Sequence, residues 1–571
     1  MILQALDEYY KRKLADPDSN TAPEGWEWKE IPFLIVIDQE GNFKAIEDTR
    51  EGEGKKKQGR PFLVPLGGKT TSGISANLLW GNIEYTLGAN PRGRTDAEDK
   101  RQAFFKKINE ELKSYVDKPP ISCILKMQRK DIVKQIHESS YAPLWDEIFN
   151  NKTKFLVSFK VEGTHHTIIC DSLEKKAISN HNSTNEILSI CLIRGENKPI
   201  SRLHSSIKGV QGTKSTGGSI VSFDKSAFCS FGKTQGFNAP TSKEATFSYT
   251  TALNMLLSKN SLNKIHTGDT SAVFWSQKKT KENFDLEENF AWYVSDSPKD
   301  DPDRGVRAVK SLYDAMKSGH LPVFDENRFY ILGLAPNAAR IAIRFWRSGT
   351  VREFGTRILK HFDDIAIARG PNDPEHLNIN RLLRATAFEY KMDNVPPNLS
   401  GNLMTSILDG TPYPISLLHQ CLRRVRAEMN VNYSRASIIK GYINRKGGNL
   451  SVALDRNNTN SGYLLGRLFA VLEKIQETAN PGINSTIRDR FYGAASSSPV
   501  AVFPQLLRLK NHHLSKISNK ALKTVYEKEI GEIMDGIVNN LPSHLQLEGQ
   551  AHFAIGYYQQ RQAFFTKKIR D

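Results

Sequence analysis

Apolar residues recur along this chain in two rhythms, and the rhythm changes near residue 397. Before that point, short dense apolar runs stand out: IPFLIVID (31–38), FLVPL (62–66), KFLVSFKV (154–161), TSAVFWS (270–276) and RFYILGLA (328–335). Runs of this length and β-branched content predict strands. Between them, residues 1–15, much of 97–153 and 244–257 space their apolar positions for helices, and PNAARIAIRFWRSG (336–349) reads as the opening of another. Beyond residue 397 strand signals fade. GYLLGRLFAVLEKIQETAN (462–480) sets Leu464, Leu465, Leu468, Phe469, Leu472 and Ile475 on one helical face, and similar patterns recur at 434–445, 500–510 and 515–540.

These elements predict an α+β protein, with mixed α/β N-terminal and middle regions followed by a C-terminal helical bundle. Three regions are expected: 1–200, 201–397 and 398–571. FLVPL is expected to pair with IPFLIVID as a hairpin whose long loop, EDTREGEGKKKQGRP (47–61), forms a basic tip. The acidic, proline-bearing SDSPKDDPDRG (295–305) is the best candidate for a linker.

Charge sharpens the picture. Lys and Arg total 79 against 62 Asp and Glu, a formal +17, which makes a polyanionic partner such as nucleic acid as plausible as a merely basic surface. From Met429 to Asp571 there are 19 Lys and Arg against 10 Asp and Glu, so the last quarter is the densest basic region. The five cysteines are scattered, with no Cys-x-x-Cys, which argues against a zinc ribbon or disulfide framework and fits a reducing, cytoplasmic setting. No apolar run approaches a membrane span, and Asp7 and Glu8 interrupt the apolar start that a signal peptide needs.

Chemistry is sparse. His165-His166, His512-His513 and the HFDD run (His361–Asp364) are the local clusters that invite a metal, and none has a second cluster to complete it. Phosphate-loop, dinucleotide and nucleophile-elbow motifs are absent. The expectation is a protein that is not an enzyme and carries no cofactor or metal; a metal-dependent nuclease built on HFDD is the alternative.

Three other segments invite a binding role. In LGGKTTSGISANLLWGNIEYTLG (66–88), glycines permit close backbone approach, Lys69 adds charge, and Asn77 and Asn82 can contact bases or phosphates. A helix cap with locally satisfied amides explains the same residues equally well. KGVQGTKSTGGSIVSFDKSAFCSFGKTQGFNAPTS (208–242) interleaves Lys208, Lys214 and Lys233 with Phe223, Phe228, Phe231 and Phe237, a plausible nucleic-acid surface, although phenylalanines more commonly fill a core. Arg340, Arg344 and Arg347 would share one face of the expected helix. In the tail, Arg435, Lys440, Arg445, Arg488 and Arg490 extend the basic surface with counterion-releasing, sequence-independent affinity.

The strings SGISANLLWGNIEYTLG, STGGSIVSFDKSAFCSFGKTQGFNAPTSKEATFSYTTALNMLL, GDTSAVFWS, FYILGLAPNAARIAIRFW, GYLLGRLFAVLEKIQ and INSTIRDRFYGAASSSPVAVFP, in this order, resemble the type I-C CRISPR Cascade large subunit to about residue 515. The resemblance implies a scaffold and reader that recognises a protospacer-adjacent motif in double-stranded DNA. It would also aid duplex opening and help recruit a helicase-nuclease, while guide pairing reads the target sequence. It implies partners: target DNA, guide RNA, and backbone and handle-binding subunits. A small subunit translated from an internal start, with Met429 the natural candidate, is implied as well. On this reading Lys69, Ser72, Asn77 and Asn82 read the motif, while Lys55, Lys56, Lys57, Arg60, Lys208, Lys214 and Lys233 clamp phosphates. A general RNA-binding assembly factor is the remaining alternative.

Overall fold

The computed structural model describes all residues except 53–56, 69–72, 152–154, 174–185, 280–283, 318–326, 538–540 and 566–571. The chain divides into two compact units that interleave along the sequence. One comprises Leu6–Ser205 and Val221–Ala252; the other comprises Met1–Ala5, Ser206–Ile220 and Leu253–Asp571.

The described residues of the first unit contain ten short strands: β1 (Trp26–Glu30), β2 (Phe33–Ile37), β3 (Phe43–Asp48), β4 (Arg50–Glu51), β5 (Gln58–Gly59), β6 (Pro61–Pro65), β7 (Trp80–Gly81), β8 (Val157–Val161), β9 (Leu188–Ile190) and β10 (Asn197–Pro199). The main sheet has the order β3-β2-β8-β7. Its two central strands, FLIVI and VSFKV, run parallel with Phe33 opposite Val157. Near-continuous burial of both explains their unalternating sequences. Phe33, Ile35, Phe159 and Val161 share a core with Phe104, Phe105 and Ile108 from the helix Ala97–Glu111.

The expected hairpin does not form. β2 pairs with β3, and β6 pairs instead with β1, Trp26 opposite Pro65. A nearer partner wins because a tight turn follows β2 directly. The Asp38 carboxylate accepts from the backbone N–H of Glu40 (3.0 Å) and Asn42 (2.8 Å), and Gly41 supplies a positive φ of 74°. β3 carries Lys44, Glu47 and Asp48 on or near its outer face, which hid it from an apolar-run reading. The short strands β4 and β5 pair across the expected tip, of which residues 53–56 lie outside the described residues.

The second unit is built on a four-stranded antiparallel meander: β11 (Lys264–Thr267), β12 (Thr270–Ser276), β13 (Arg328–Asn337) and β14 (Arg340–Thr350). Residues 340–350 are therefore a strand, not the helix expected for 336–349. The chain reverses at Ala338 (φ 51°) and pairs back along β13 from Asn337↔Arg340 to Arg328↔Thr350. Apolar Ile341 and Phe345 then find the sheet core rather than a helical stripe. Arg344 is the extra residue of a bulge, where Phe345 faces Gly333 and Ile343 faces Leu334. Gly333 is required there, because a Cβ would overlap the Phe345 ring. A capping box of Thr350 and Glu353 ends the strand and starts the helix Val351–Ile365.

Residues 295–305 connect the helices Leu286–Val294 and Arg304–Lys317, both of which contribute to one core through Phe290, Val294, Val309 and Leu312. The segment is an interhelical connection within one unit rather than a linker between domains. From Leu399 onward the described residues form helices. The helix Ser461–Ala479 packs closely against Leu547–Phe565, where Gly466 and Gly556 each leave no room for a Cβ beside the carbonyl oxygens of Phe553 and Tyr463. Among the described residues no helix is long and apolar enough to cross a membrane.

Candidate nucleic-acid interface

In the first unit, Lys55, Lys56, Lys69 and Ser72 lie outside the described residues. Lys57 is exposed beside β5. Arg60 is half exposed, 3.9 Å from Glu51 and stacked on the Phe62 ring at 5.8 Å. Asn77 and Asn82 build their own loop. The Asn77 Oδ1 accepts from the Gly68 N–H at 3.2 Å. The Asn82 Oδ1 caps the helix Ile83–Thr86, accepting from Glu84 (3.1 Å) and Tyr85 (3.4 Å). Reading adenine with an amide takes its oxygen and nitrogen together. With its oxygen taken by two backbone N–H groups, Asn82 is not placed as a bidentate base reader in this conformation, whereas the Asn77 oxygen takes one.

The same unit presents a protruding loop in which every residue from 224 to 234 is exposed. Ser230 and Lys233 close a tight turn, and Phe231 (φ 52°) and Gly232 (φ 70°) occupy its left-handed centre, the geometry of a type I′ turn. Phe231 is 100% exposed and Phe228 is 42% exposed, so these two are not the core residues that base composition favours. Lys225 and Lys233 flank them without an ion pair among the described residues. The base of the loop is held firmly. Asn238 accepts from the Ser230 N–H (2.9 Å) and donates to the carbonyls of Lys233 and Gln235 (both 3.0 Å). Gly236 donates to the Arg202 carbonyl at 3.0 Å, in a slot that admits no side chain. The loop is thus an anchored platform carrying an aromatic tip between two lysines.

In the second unit, Lys208 and Lys214 are exposed on the 206–220 segment. The three middle arginines form no bare cationic face. Arg347 binds Asp409 through two bonds (2.6 and 2.8 Å), Arg344 binds Asp269 at 2.8 Å, and all three sit on β14.

The tail brings a larger correction. Arg435 is 0% exposed; it holds Glu428 at 2.5 Å and the carbonyls of Ala385 and Asn430 at 3.0 Å. Lys440 is buried against the Asp364 carbonyl, and burial pushes its ammonium below its usual range. The buried Arg445 binds the Asp364 carboxylate at 3.0 Å and the carbonyls of Ser406 and Thr411. These three cations fasten the helix Tyr433–Arg445 into the core and cannot line a surface. Arg488 is half-buried near Glu473 (3.9 Å), and Arg490 is exposed.

The exposed cations of the tail lie further on. Residues 490–526 contain no Asp or Glu. Within them Arg508, His512 and Lys516 occupy the solvent face of the helix Pro499–Lys516 at i, i+4 and i+8, about 6 Å of helix rise apart. Exposed Lys520 continues the series into the helix Lys520–Gly536. None of Arg508, Lys510, Lys516, Lys520 or Lys523 makes an ion pair among the described residues. The sequence carried this signal in its acid-free run, which a count of local cation density passed over.

HFDD is dispersed by the fold. His361 is buried with its Nδ1 against the Tyr413 hydroxyl at 2.5 Å, and burial, with Arg445 nearby, lowers its pKa to about 3. Asp364 is held by Arg445, while Asp363 accepts from the Tyr313 hydroxyl at 2.6 Å. Among the described residues no group of three or more His, Cys, Asp or Glu could hold a metal ion.

Fold and surface together define an α+β protein that spends its buried cations on structure and leaves an aromatic–lysine loop and an acid-free cationic helix face exposed. The sequence model of the CRISPR-associated protein (Cas_Csd1) family matches residues 6–565, and the chain belongs to that family. No curated protein matches the chain.

Proposed function

We propose that the chain is the non-catalytic large subunit of a type I-C CRISPR surveillance complex. It recognises a protospacer-adjacent motif in duplex DNA, helps to open the duplex and helps to recruit a helicase-nuclease. The observation that carries the reading is the anchored loop 224–234, with Phe231 fully exposed between Lys225 and Lys233. A turn whose base is already fixed pays little backbone ordering cost when its aromatic enters a base stack, and stacking contributes about 1–3 kcal/mol per base. Flanking lysines hold the phosphates while it does so. The cationic face from Arg508 to Lys520 supplies a second, sequence-independent grip on a strand.

The helical tail supports a small-subunit product, but not one beginning at Met429. Most partners of Arg435 and Arg445 (Glu428, Ala385, Asp364, Ser406 and Thr411) precede that residue, and 11 of the 13 residues of the helix Tyr433–Arg445 are buried. A product starting at Met429 would expose this helix with its buried charges. A start between Lys446 and Ser461 keeps whole the closely packed pair of helices Ser461–Ala479 and Leu547–Phe565 and leaves those buried charges out of the product.

The test is binding and opening of a randomised-motif duplex library, with 2-aminopurine next to the motif reporting unstacking. Phe231→Ala should leave first encounter intact and reduce opening about tenfold or more. Unchanged opening by that variant refutes the loop's role.

A further inference from the structure

Among the described residues, the hairpin of β9 and β10 has one protected edge and one unprotected edge. On the β10 side, Pro199 has no N–H and Lys198 is paired with Glu244 at 3.2 Å, both devices that discourage strand addition. On the β9 side the situation is reversed. The ladder bonds flanking β9 run from Ile200 to the Ile187 carbonyl (3.1 Å) and from Cys191 to the Glu196 carbonyl (2.9 Å). By antiparallel alternation, the backbone groups of Leu188 and Ile190 point to the opposite edge. Among the described residues the backbone bond beyond that edge is the one from the Leu192 N–H to the Pro240 carbonyl at 2.9 Å.

Side chains make the edge costlier still. Leu188 and Ile190, on one face of the strand, and Leu192, in the turn that follows, are 58%, 64% and 61% exposed, leaving on the order of 300 Å² of aliphatic surface in water; Ile187, 61% exposed, lies on the opposite face. The hairpin beneath is not loose. Cys191 and Ile193 are buried, and Arg194 reaches Asp7 at 2.8 Å and Glu244 at 2.9 Å.

We propose that the β9 edge is a docking site for an extended segment of a different protein subunit, one with apolar residues at alternate positions that adds as a strand beside Leu188–Ile190. The area decides against a second copy of this chain. It is well under half of the roughly 800 Å² per partner that a stable free-standing complex buries, so it suits one added strand within a wider assembly. Main-chain bonds to Leu188 and Ile190 give the addition its direction, and the aliphatic side chains give it affinity. The inference rests on the chain working inside a multi-subunit complex.

The experiment uses the complete complex, co-expressed with its guide RNA and associated subunits and recovered through a tag on this chain. Amide exchange at Leu188 and Ile190 is expected to slow about 100-fold between isolated chain and complex. Ile190→Pro deletes the outward N–H while sparing the inward ladder, and Leu188→Lys/Ile190→Lys adds charge to the face. Both should lower subunit recovery about tenfold, whereas Leu262→Lys, at a comparably exposed position in the other unit, should not. Thermal unfolding and salt-dependent DNA binding of the isolated variants should match wild type, which controls for folding. Normal recovery with fast-exchanging amides overturns the inference and leaves the proposed function standing. A wild-type dimer that the double lysine variant dissociates overturns it in favour of a second copy. A wild-type chain that recovers no other subunit overturns both.

Discussion

Replacing Arg508, Lys516 and Lys520 together by alanine tests whether the exposed helix face, rather than the cation-rich tail as a whole, grips nucleic acid. All three side chains are exposed and lack an ion pair among the described residues, so each is available to a phosphate at no cost of breaking an existing contact. A cation that neutralises one phosphate of a single strand releases about 0.7 counterion. Three such contacts contribute about 2 to the slope of log affinity against log salt. Doubling the salt should then weaken the wild type about fourfold more than the triple variant. The assay is fluorescence anisotropy with a single-stranded oligonucleotide across a salt series. Lys440→Met provides the contrast. That lysine is buried against the Asp364 carbonyl, so its replacement should change stability and leave the salt slope alone. A triple variant with an unchanged slope, or a Lys440→Met variant with a shallower one, refutes the assignment.

Four further outcomes are expected. Burial, with Glu287 and Glu288 nearby, pushes the Asp285 carboxyl up to about 6, so its stabilising contribution is full in acid and is lost as pH rises from about 4 to about 6. Asp285→Asn keeps the cap on the Glu287 N–H (2.7 Å) and should gain about 1 kcal/mol at pH 7 after allowance for solvent screening; denaturant melts at pH 4 and pH 7 check it. The lowered pKa of buried His361 has the opposite sign, its contribution being present above the ordinary histidine range and lost as pH falls toward 3. His361→Phe should therefore flatten the acid side of the stability profile by about one proton, about 1.4 kcal/mol per pH unit. Gly466→Ala forces a methyl into the Phe553 carbonyl and should cost about 3 kcal/mol by thermal unfolding. Mass spectrometry of copurified small protein should find an N-terminus between residues 446 and 461, and one at 425–435 would refute the packing argument.

Legibility in the sequence followed burial. IPFLIVID, TSAVFWS and RFYILGLA each became the strand their apolar density predicted, and the helix at 462–480 appeared within a residue of its expected ends. Segments with mixed composition were ambiguous. PNAARIAIRFWRSG satisfies a helical arginine spacing and a strand's apolar spacing alike, and only the availability of β13 as a partner chose between them. Of the candidate surface, Lys208, Lys214 and Lys233 emerged exposed as expected. Arg435, Lys440 and Arg445 did not, because Asp364, which neighbours the last two, lies about 80 residues upstream.

By itself the sequence determined the α+β class, the most strongly apolar strands, the long tail helices and a positive excess too large to ignore. Those properties are local or additive: period, run length and net charge need no knowledge of neighbours. The tertiary structure alone decided which strands pair, that residues 206–220 join the unit of the tail, and which cations remain in water. Each of these depends on contacts between residues far apart in the chain, where a buried carboxylate or carbonyl turns a basic residue from a surface feature into part of the core.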